Sequence, residues 1–600
     1  MRHSRRILEQ PITIGQPPQR NIAMVATRSE ASGKRSRSSI DEDLAIINAT
    51  VDAVTSALPI GLTPGQLGAA ALRLGQAAAR QPMTTLRRSV ALGADYAKIA
   101  SGVSDVAPGP KDRRFTDEAF TKHPFYKRLA QAHVAGETAV ATLVDDLDLD
   151  EKSRLRAELL TTIATSTAAP TNNLLGNPAA LREARDTKGR SLVDGARHAL
   201  HDARHNGGLP SMVDTRPFVP GDTVAATPGV VVFQNPVLEL MQYSPTTKKV
   251  GERPVFVIPP QINKYYVLDL APGRSMIEHL VSQGQQVFAI SFRNPSAEHR
   301  DWGLDTYVAA ILEAADAAIE ISGSPDLNVL GVCAGGITMA SMLGHLADQG
   351  DTRFNSATFL VTILDWEVPS TLGTFISRPV VNAGRRRSQE NGVLDGADLG
   401  RVFAWLRPND LIWNYWVNNY LMGKNPAAFD VLSWNVDATN LPAALHSEFL
   451  AMAVGNTLAN PGATVCMETP VDLSKIEIDA FVVGAVTDHI TPWQGCFPTV
   501  NLLGGDTEFV LSSQGHIQAL VNPSGNPKGS YHTNADAAAS RDTLTADEWL
   551  EGAKSNSGSW WDHWTEWLKE RDGKQVDAPK TLGSARFPAG IAAPGSYVFG

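Results

Sequence analysis

The chain has 600 residues, 43% of them hydrophobic and 19% charged, which describes a globular protein with more than one hydrophobic core. Its formal net charge of −10, from 63 acidic and 53 basic residues, argues against general nucleic-acid binding. Three cysteines, Cys333, Cys466 and Cys496, are too few for a disulfide framework and indicate a reducing compartment. We find neither a transmembrane segment nor the apolar core of a signal peptide, so we expect a cytoplasmic protein.

The first 208 residues divide into two parts by composition. Residues 1–40 are rich in Arg, Ser, Pro and Gln and have too little apolar surface to fold, so we expect a disordered tail. Residues 41–208 show helical spacing without strand-like alternation, which predicts an all-α N-terminal domain. Within it, residues 61–102 place arginines opposite small apolar residues. We interpret this stretch as a core-facing helix with a basic solvent side, and an anchor on a hydrophobic surface is the alternative.

From residue 209 to 600, strands alternate with helices, which predicts a mostly parallel sheet covered on both faces. The predicted strands are Val230–Phe233, Val255–Ile258, Gln286–Ile290, Val329–Leu330, Thr358–Leu364, Ile478–Ala485 and Thr507–Ser512. The alternation lapses between about 365 and 442, where aromatic residues are frequent. An insertion at this point of the chain is predicted to form a cap over the active site.

A Gly-x-Cys-x-Gly pattern follows the strand Val329–Leu330, with Cys333 at its centre. This pattern is typical of the nucleophile elbow of α/β-hydrolases, in which glycines allow a sharp turn from strand to helix. The following helix is predicted from Ile337 to about Gly344, and its N-terminus would favour a thiolate. We therefore interpret Cys333 as the nucleophile; a buried structural thiol is the alternative.

Two further candidate residues lie just past predicted strands, in the order that α/β-hydrolases require. Asp488 follows the strand Ile478–Ala485 and is the candidate acid. His516 follows the strand Thr507–Ser512 and is the candidate base. Neighbouring side chains of an extended loop point apart, so we assign a structural role to His489, which adjoins the acid. The sequence thus predicts a Cys-His-Asp triad on an α/β-hydrolase fold.

An oxyanion hole in this fold takes one backbone N–H from the residue after the nucleophile and one from an earlier loop. The first position is Ala334. The loop Pro259–Tyr266 follows the strand Val255–Ile258, and its prolines cannot donate. We therefore predict Ile262 as the second donor.

Several long stretches of the sequence resemble the poly(3-hydroxyalkanoate) synthases, in their single-subunit classes I and II. The similarity covers nearly everything after about residue 112. The matching stretches are Pro259–Tyr266 (PPQINKYY), Gly331–Gly336 (GVCAGG), Leu406–Trp413 (LRPNDLIW), Trp434–Pro442 (WNVDATNLP), Asp488–Trp493 (DHITPW) and Gly515–Ile517 (GHI). The stretch Trp413–Tyr420 resembles the class that prefers medium-length hydroxyacyl units.

This resemblance implies an acyltransferase that polymerises (R)-3-hydroxyacyl-CoA into polyester and releases CoA. It implies that Cys333 carries the growing chain, that His516 is the base and that Asp488 orients it. It also implies homodimers that assemble on the surface of polymer granules. We find no metal-binding pattern or phosphate-binding loop, so we expect no cofactor beyond the CoA of the substrate.

Chemistry favours cysteine for such a reaction, because transfer from one thioester to another is nearly isoenergetic and leaves the chain activated. Two alternatives share the same triad or fold. One is an esterase or thioesterase with a Cys nucleophile, which would release free hydroxy acid. The other is a non-catalytic scaffold of polymer granules.

Overall fold

The computed structural model describes residues 74–368, 373, 378–535 and 544–600. The predicted tail at 1–40 and the beginning of the helical region lie outside the described residues. The described residues belong to one compact unit. Among the described helices, none has both the length and the hydropathy that a membrane span requires.

The described N-terminal region is helical up to residue 205, and it contains no strand between residues 74 and 208. Its longer helices are α1 (Pro82–Ser101), α2 (Pro124–Asp146), α3 (Glu151–Thr167), α4 (Pro178–Asp186) and α5 (Arg190–His205). A single helical turn, Ala119–Lys122, lies between α1 and α2. Proline in the first turn of α1, α2 and α4 begins the helix with its φ angle already set. The helical character agrees with the sequence, whereas the domain boundary at 208 stays a prediction.

Most of the large apolar side chains of helix α1 are exposed rather than packed in a core. Met83, Leu86 and Val90 are 75%, 56% and 63% exposed, and Ile99 near its end is its buried residue. An ion pair between Arg88 and Asp146 of α2, 2.6 Å long, joins the two helices on another side of α1. The interpretation of this stretch as a core-facing helix was therefore wrong for the described residues.

A ten-stranded sheet forms the centre of the remaining chain. Its strands are β1 (Gly229–Gln234), β2 (Leu238–Tyr243), β3 (Val255–Ile258), β4 (Val287–Phe292), β5 (Leu327–Val332), β6 (Phe354–Leu360), β7 (Asp479–Ala485), β8 (Thr507–Ser512), β9 (Ser530–Thr533) and β10 (Lys554–Ser557). The order across the sheet is β1-β2-β4-β3-β5-β6-β7-β8-β9-β10. Strands β3 to β8 pair in parallel through the centre, and antiparallel strands extend both edges.

Helices cover both faces of this sheet. After α5 they are α6 (Met276–Ser282), α7 (Leu304–Ser322), α8 (Ala334–Gln349), α9 (Arg378–Asn391), α10 (Gly396–Leu406), α11 (Asp430–Val436), α12 (Ala443–Gly455), α13 (Ala546–Glu551) and α14 (Trp560–Lys569), with single turns at Trp493–Cys496 and Thr499–Leu502 and a short helix at His516–Leu520. Small two-stranded pairs join Lys249–Gly251 to Gln575–Asp577, Val393–Leu394 to Leu441–Pro442, and Val465–Cys466 to Thr469–Pro470. On β3, Phe256 packs with α7 and α8, while Val255 and Val257 pack with α6 and α14. This alternation of side chains places one core on each face.

Two boundaries differ from the sequence prediction. Strand β6 ends at Leu360, because Val361 adopts a positive φ of 44° and leaves the sheet, although the apolar run continues to Leu364. Its remaining apolar residues are buried in the core as a loop. Helix α8 starts at Ala334 rather than at Ile337, so both glycines after Cys333 belong to the helix.

Helices α9 to α12 and the described loops between β6 and β7 are called the cap below, and the segment predicted as a cap, about 365–442, ends before α12. The cap includes two π-helical turns, Asn409–Trp413 and Trp416–Leu421. The second turn packs on α5: Tyr420 donates a 2.8 Å hydrogen bond to Asp202, and a Cβ at Gly195 would collide with the Tyr420 carbonyl. Helix α5 of the N-terminal region therefore packs directly against the cap.

Candidate active site

Cys333 lies at a sharp turn between β5 and α8. Its φ and ψ angles of 50° and −117° are a strained conformation for a residue with a side chain. The two glycines that follow allow the helix to approach its neighbours. A Cβ at Gly335 would collide with the Pro259 carbonyl, and one at Gly336 would collide with the Thr362 side chain. The small residues thus fix the Cys333 thiol at the first turn of α8, where it is partly exposed.

The two predicted oxyanion donors lie next to the same cavity as Cys333. Ala334 is the first residue of α8, and its N–H has no hydrogen-bond partner within the described chain. Ile262 lies in the loop after β3, and its carbonyl accepts a 3.4 Å hydrogen bond from the Thr439 N–H of the cap. The close contact between Gly335 and Pro259 holds this loop against α8. Their assignment as oxyanion donors stays a prediction.

Asp488 is buried and its carboxylate has four hydrogen-bond donors. The backbone N–H groups of Ile490 and Thr491 donate to Oδ1 at 2.8 and 2.9 Å. The Thr491 hydroxyl and Nδ1 of His516 bind Oδ2 at 2.7 and 2.6 Å. Burial raises the pKa of Asp488, but the charge and hydrogen bond of His516 and the bonds from Thr491 lower it below its usual range. The carboxylate is therefore ionised and fixed in orientation.

His516 begins the short helix after β8 and joins the other two candidates. One side of its ring binds Asp488, and its side chain lies close enough to Cys333 for the two to interact electrostatically. Burial lowers the pKa of His516, but the Asp488 carboxylate and the neighbouring Cys333 raise it to about 10. Such an arrangement can accept the proton of the thiol and stabilise the imidazolium that forms. The structure thus brings together the three residues that the sequence singled out.

His489 has a different environment. It is half-buried beside Arg407 and Asp410. Burial, and then the charge of Arg407, lower its pKa to about 4. Within the described residues, the histidine that hydrogen-bonds Asp488 is His516.

A cavity of about 240 Å³ opens beside Cys333. It lies between the sheet and the cap, and α9, α10 and α12 supply much of its wall. Apolar side chains predominate in this wall: Ile262, Ile337, Ile363, Trp366, Val381, Leu394, Leu399, Val402, Phe403, Leu441, Phe449, Leu450, Met452 and Ile490. The cavity suits an apolar group covalently attached to, or placed next to, the thiol.

Sequence reasoning missed several residues around the triad. Thr491 holds Asp488 through both its N–H and its hydroxyl, and its hydroxyl also lies 3.0 Å from Nδ1 of His516. The spacing Asp-x-x-Thr, which is typical of a carboxylate that binds the backbone of its own turn, could have identified it. Cys496 is buried, and its thiol lies 3.7 Å from the Thr491 carbonyl. Burial raises the pKa of Cys496 well above its usual range, which leaves it an inert thiol.

Comparison with known proteins identifies two segments of the chain. Residues 111–280 match the family model described as the N-terminus of poly-beta-hydroxybutyrate polymerase (PhaC). Residues 254–523 match that of the alpha/beta hydrolase fold, which confirms the predicted fold class. Among solved structures, a soluble variant of monoglyceride lipase from Saccharomyces cerevisiae is 11% identical, with a TM-score of 0.34, and the alignment covers 59% of this chain and 98% of the lipase.

The curated relatives are similar over most of their length. Poly(3-hydroxyalkanoate) polymerase 2 of Ectopseudomonas oleovorans is 46% identical over 86% of this chain and 92% of its own. Poly(3-hydroxyalkanoate) polymerase 1 of the same organism is 42% identical over 90% and 95%. The polymerase subunit PhaC of Cupriavidus necator is 37% identical over 83% and 85%. With this identity over nearly the whole length, and with the nucleophile elbow in place, the chain belongs to the poly(3-hydroxyalkanoate) polymerase family.

Proposed function

We propose that this protein polymerises (R)-3-hydroxyacyl-CoA into poly(3-hydroxyalkanoate), with Cys333, His516 and Asp488 as its catalytic triad. The observation that carries the proposal is the continuous chain of contacts from Cys333 through His516 to Asp488, next to an apolar cavity, in a member of this polymerase family. The comparisons concern the family, and the roles of the individual residues rest on their geometry.

In the first step, His516 takes the proton of the Cys333 thiol, and the sulfur attacks the thioester carbonyl of the substrate. In this proposal the N–H groups of Ala334 and Ile262, two residues that line the cavity, bind the oxygen that becomes negative. The carbon–sulfur bond to CoA then breaks, and the CoA sulfur receives the proton from His516. The acyl group is left on Cys333 as a thioester.

In the second step, the 3-hydroxyl of another hydroxyacyl unit attacks the acyl group on Cys333. His516 removes the hydroxyl proton and returns it to the departing sulfur, so one ester bond forms and one thioester bond breaks. The lengthened chain is then itself a CoA thioester, and it acylates Cys333 again as in the first step. Asp488 keeps Nδ1 of His516 as the protonated nitrogen and stabilises the imidazolium. The apolar wall supplied by the cap disfavours water as the competing nucleophile.

The volume of the cavity also indicates the size of the monomer side chain that it can hold. An engineered apolar cavity of about 150 Å³ is large enough for benzene, so the 240 Å³ beside Cys333 can hold the alkyl side chain of a medium-length unit. We propose no cofactor other than the CoA of the substrate. We further propose a homodimer that works on the surface of the polymer granule, where the exposed Met83, Leu86 and Val90 of α1 can contact the polyester.

The purified protein with 3-hydroxyacyl-CoA tests the proposed function. Release of CoA together with insoluble polyester is the expected result. Release of CoA with soluble hydroxy acid would instead identify a thioesterase. Absence of CoA release would identify a scaffold, and either of these two results would overturn the proposal.

A further inference from the structure

The cavity beside Cys333 contains an imidazole that the proposed mechanism does not use. His446 of α12 lines the cavity and is 9% exposed. The other polar side chains in the wall are Cys333 itself, Thr491, whose hydroxyl is bound to Asp488, and Trp366, whose buried indole N–H has no hydrogen-bond partner among the described residues. A buried imidazole in an otherwise apolar wall costs free energy unless its nitrogens find partners, either from the protein or from a ligand.

Hydrogen bonds determine which nitrogen of His446 carries the proton. Nδ1 of His446 lies 2.9 Å from the Ser388 hydroxyl of α9. That hydroxyl donates its single proton to the Arg385 carbonyl, at 3.0 Å. Ser388 can therefore only accept from the ring, so Nδ1 of His446 is the donor.

The second ring nitrogen, Nε2, is then an acceptor with a free lone pair. Burial, and then the charge of Arg385, lower the pKa of His446 to about 4, so the ring is neutral near pH 7. Nε2 has no hydrogen-bond partner among the residues that the structure describes, and it is not among the fully enclosed polar atoms without one. A Cβ added at Gly384, another wall residue, would lie 3.7 Å from Cε1, the ring carbon next to Nε2.

We propose that Nε2 of His446 accepts a hydrogen bond from the 3-hydroxyl group of the hydroxyacyl unit that enters this cavity. The inference rests on the proposed function, because it takes the hydroxyacyl thioester as the ligand. A lone-pair acceptor with no proton of its own matches a hydroxyl donor and offers nothing to a plain alkyl chain. His446 is thus a substrate-binding residue that selects hydroxyacyl over unsubstituted acyl thioesters.

The test compares 3-hydroxyoctanoyl-CoA with octanoyl-CoA in the first turnover, where the burst of CoA reports acylation of Cys333. The wild-type protein should react with the hydroxyacyl thioester roughly three- to tenfold more efficiently, which is the range of one neutral hydrogen bond. In His446→Leu the ratio should fall to about one, and a native melting curve checks that the variant is folded. Ser388→Ala provides a second variant, at a residue outside the cavity wall. It removes the hydrogen-bond partner of Nδ1 of His446 and so permits the tautomer with a protonated Nε2. It should also lower the ratio.

A matched control is His345→Leu, which removes a half-buried histidine bonded to the Thr469 hydroxyl at 2.7 Å, away from the cavity. This variant should keep the wild-type ratio. The inference is overturned if the wild-type protein shows no preference, if His446→Leu or Ser388→Ala keeps the preference, or if His345→Leu loses it to the same extent. Absence of a burst with either thioester, or an undiminished burst in Cys333→Ala, would overturn the proposed function as well.

Discussion

At the scale of residues, the site is built around a carboxylate that is fixed before any substrate binds. Asp488 receives two backbone and two side-chain hydrogen bonds, and these place His516 next to Cys333. The order Cys, Asp, His along the sequence predicted which residues would meet. The sequence contains a local signal for Thr491 in its spacing from Asp488, but none for His446, whose place in the cavity depends on contacts across the fold.

The choice between two histidines can be tested directly. His516→Gln should lower steady-state CoA release by roughly a thousandfold, since the general base is lost. His489→Gln should lower it less than about tenfold, because no described hydrogen bond joins His489 to the triad. The measurement is CoA release under saturating 3-hydroxyacyl-CoA, with both variants checked for a native melting curve. An exchange of the two phenotypes would show that the wrong histidine has been assigned.

The two chemical steps should depend differently on Asp488. A thiol is far more acidic than an aliphatic hydroxyl, so acylation of Cys333 needs less help from the His516–Asp488 pair than elongation does. Asp488→Asn should therefore show a burst of about one CoA per site and then a slow phase. Quenched-flow measurement of CoA checks this. Equal slowing of the burst and the slow phase would show that acylation depends on Asp488 as much as elongation does.

The buried histidines make stability depend on pH. The pKa of His446 is lowered to about 4 in the folded protein, whereas an unfolded histidine titrates near 6.5. The unfolded chain therefore binds more protons between these values, and stability falls as the pH drops through this window, by up to about 1.4 kcal/mol per pH unit for one residue. Denaturant titrations from pH 7 to 5 should give a shallower slope for His446→Leu. A slope equal to that of the wild type would rule out a neutral buried His446.

At the scale of elements, the strongly apolar strands could be predicted closely and the weak ones could not. Strands β3 and β8 have the predicted bounds, because their apolar runs end at turn residues. Strand β2 was missed although all its residues are buried, since its Leu238–Tyr243 sequence mixes polar and apolar residues on both faces. Strand β10 is a polar edge strand, KSNS, which no hydrophobic pattern marks. Helix α8 was predicted too short because its two glycines resemble a turn, whereas close packing requires them.

At the scale of the whole molecule, the N-terminal helices and the cap pack together, which the sequence did not predict. Gly195→Ala should separate α5 from the cap, since its Cβ would collide with the backbone carbonyl of Tyr420. We expect a loss of about 1–3 kcal/mol in the free energy of unfolding, together with lower CoA release.

The matched control is Gly400→Ala in α10, where a Cβ meets no atom within 4 Å. It should be neutral or stabilising, by up to about 1 kcal/mol. If both variants had the same melting temperature and activity as the wild type, the packing of α5 on the cap would have no energetic role.

The central claim is that the polyester grows on Cys333, and mass spectrometry of the protein during turnover tests it most directly. Samples quenched after mixing with 3-hydroxyacyl-CoA and digested should show the peptide with Cys333 carrying one, then several, hydroxyacyl units. Neutral hydroxylamine should remove them, as expected for a thioester, and Cys333→Ala should neither carry units nor release CoA. Units attached to Cys466 or Cys496 instead, or polyester formation by Cys333→Ala, would contradict the account.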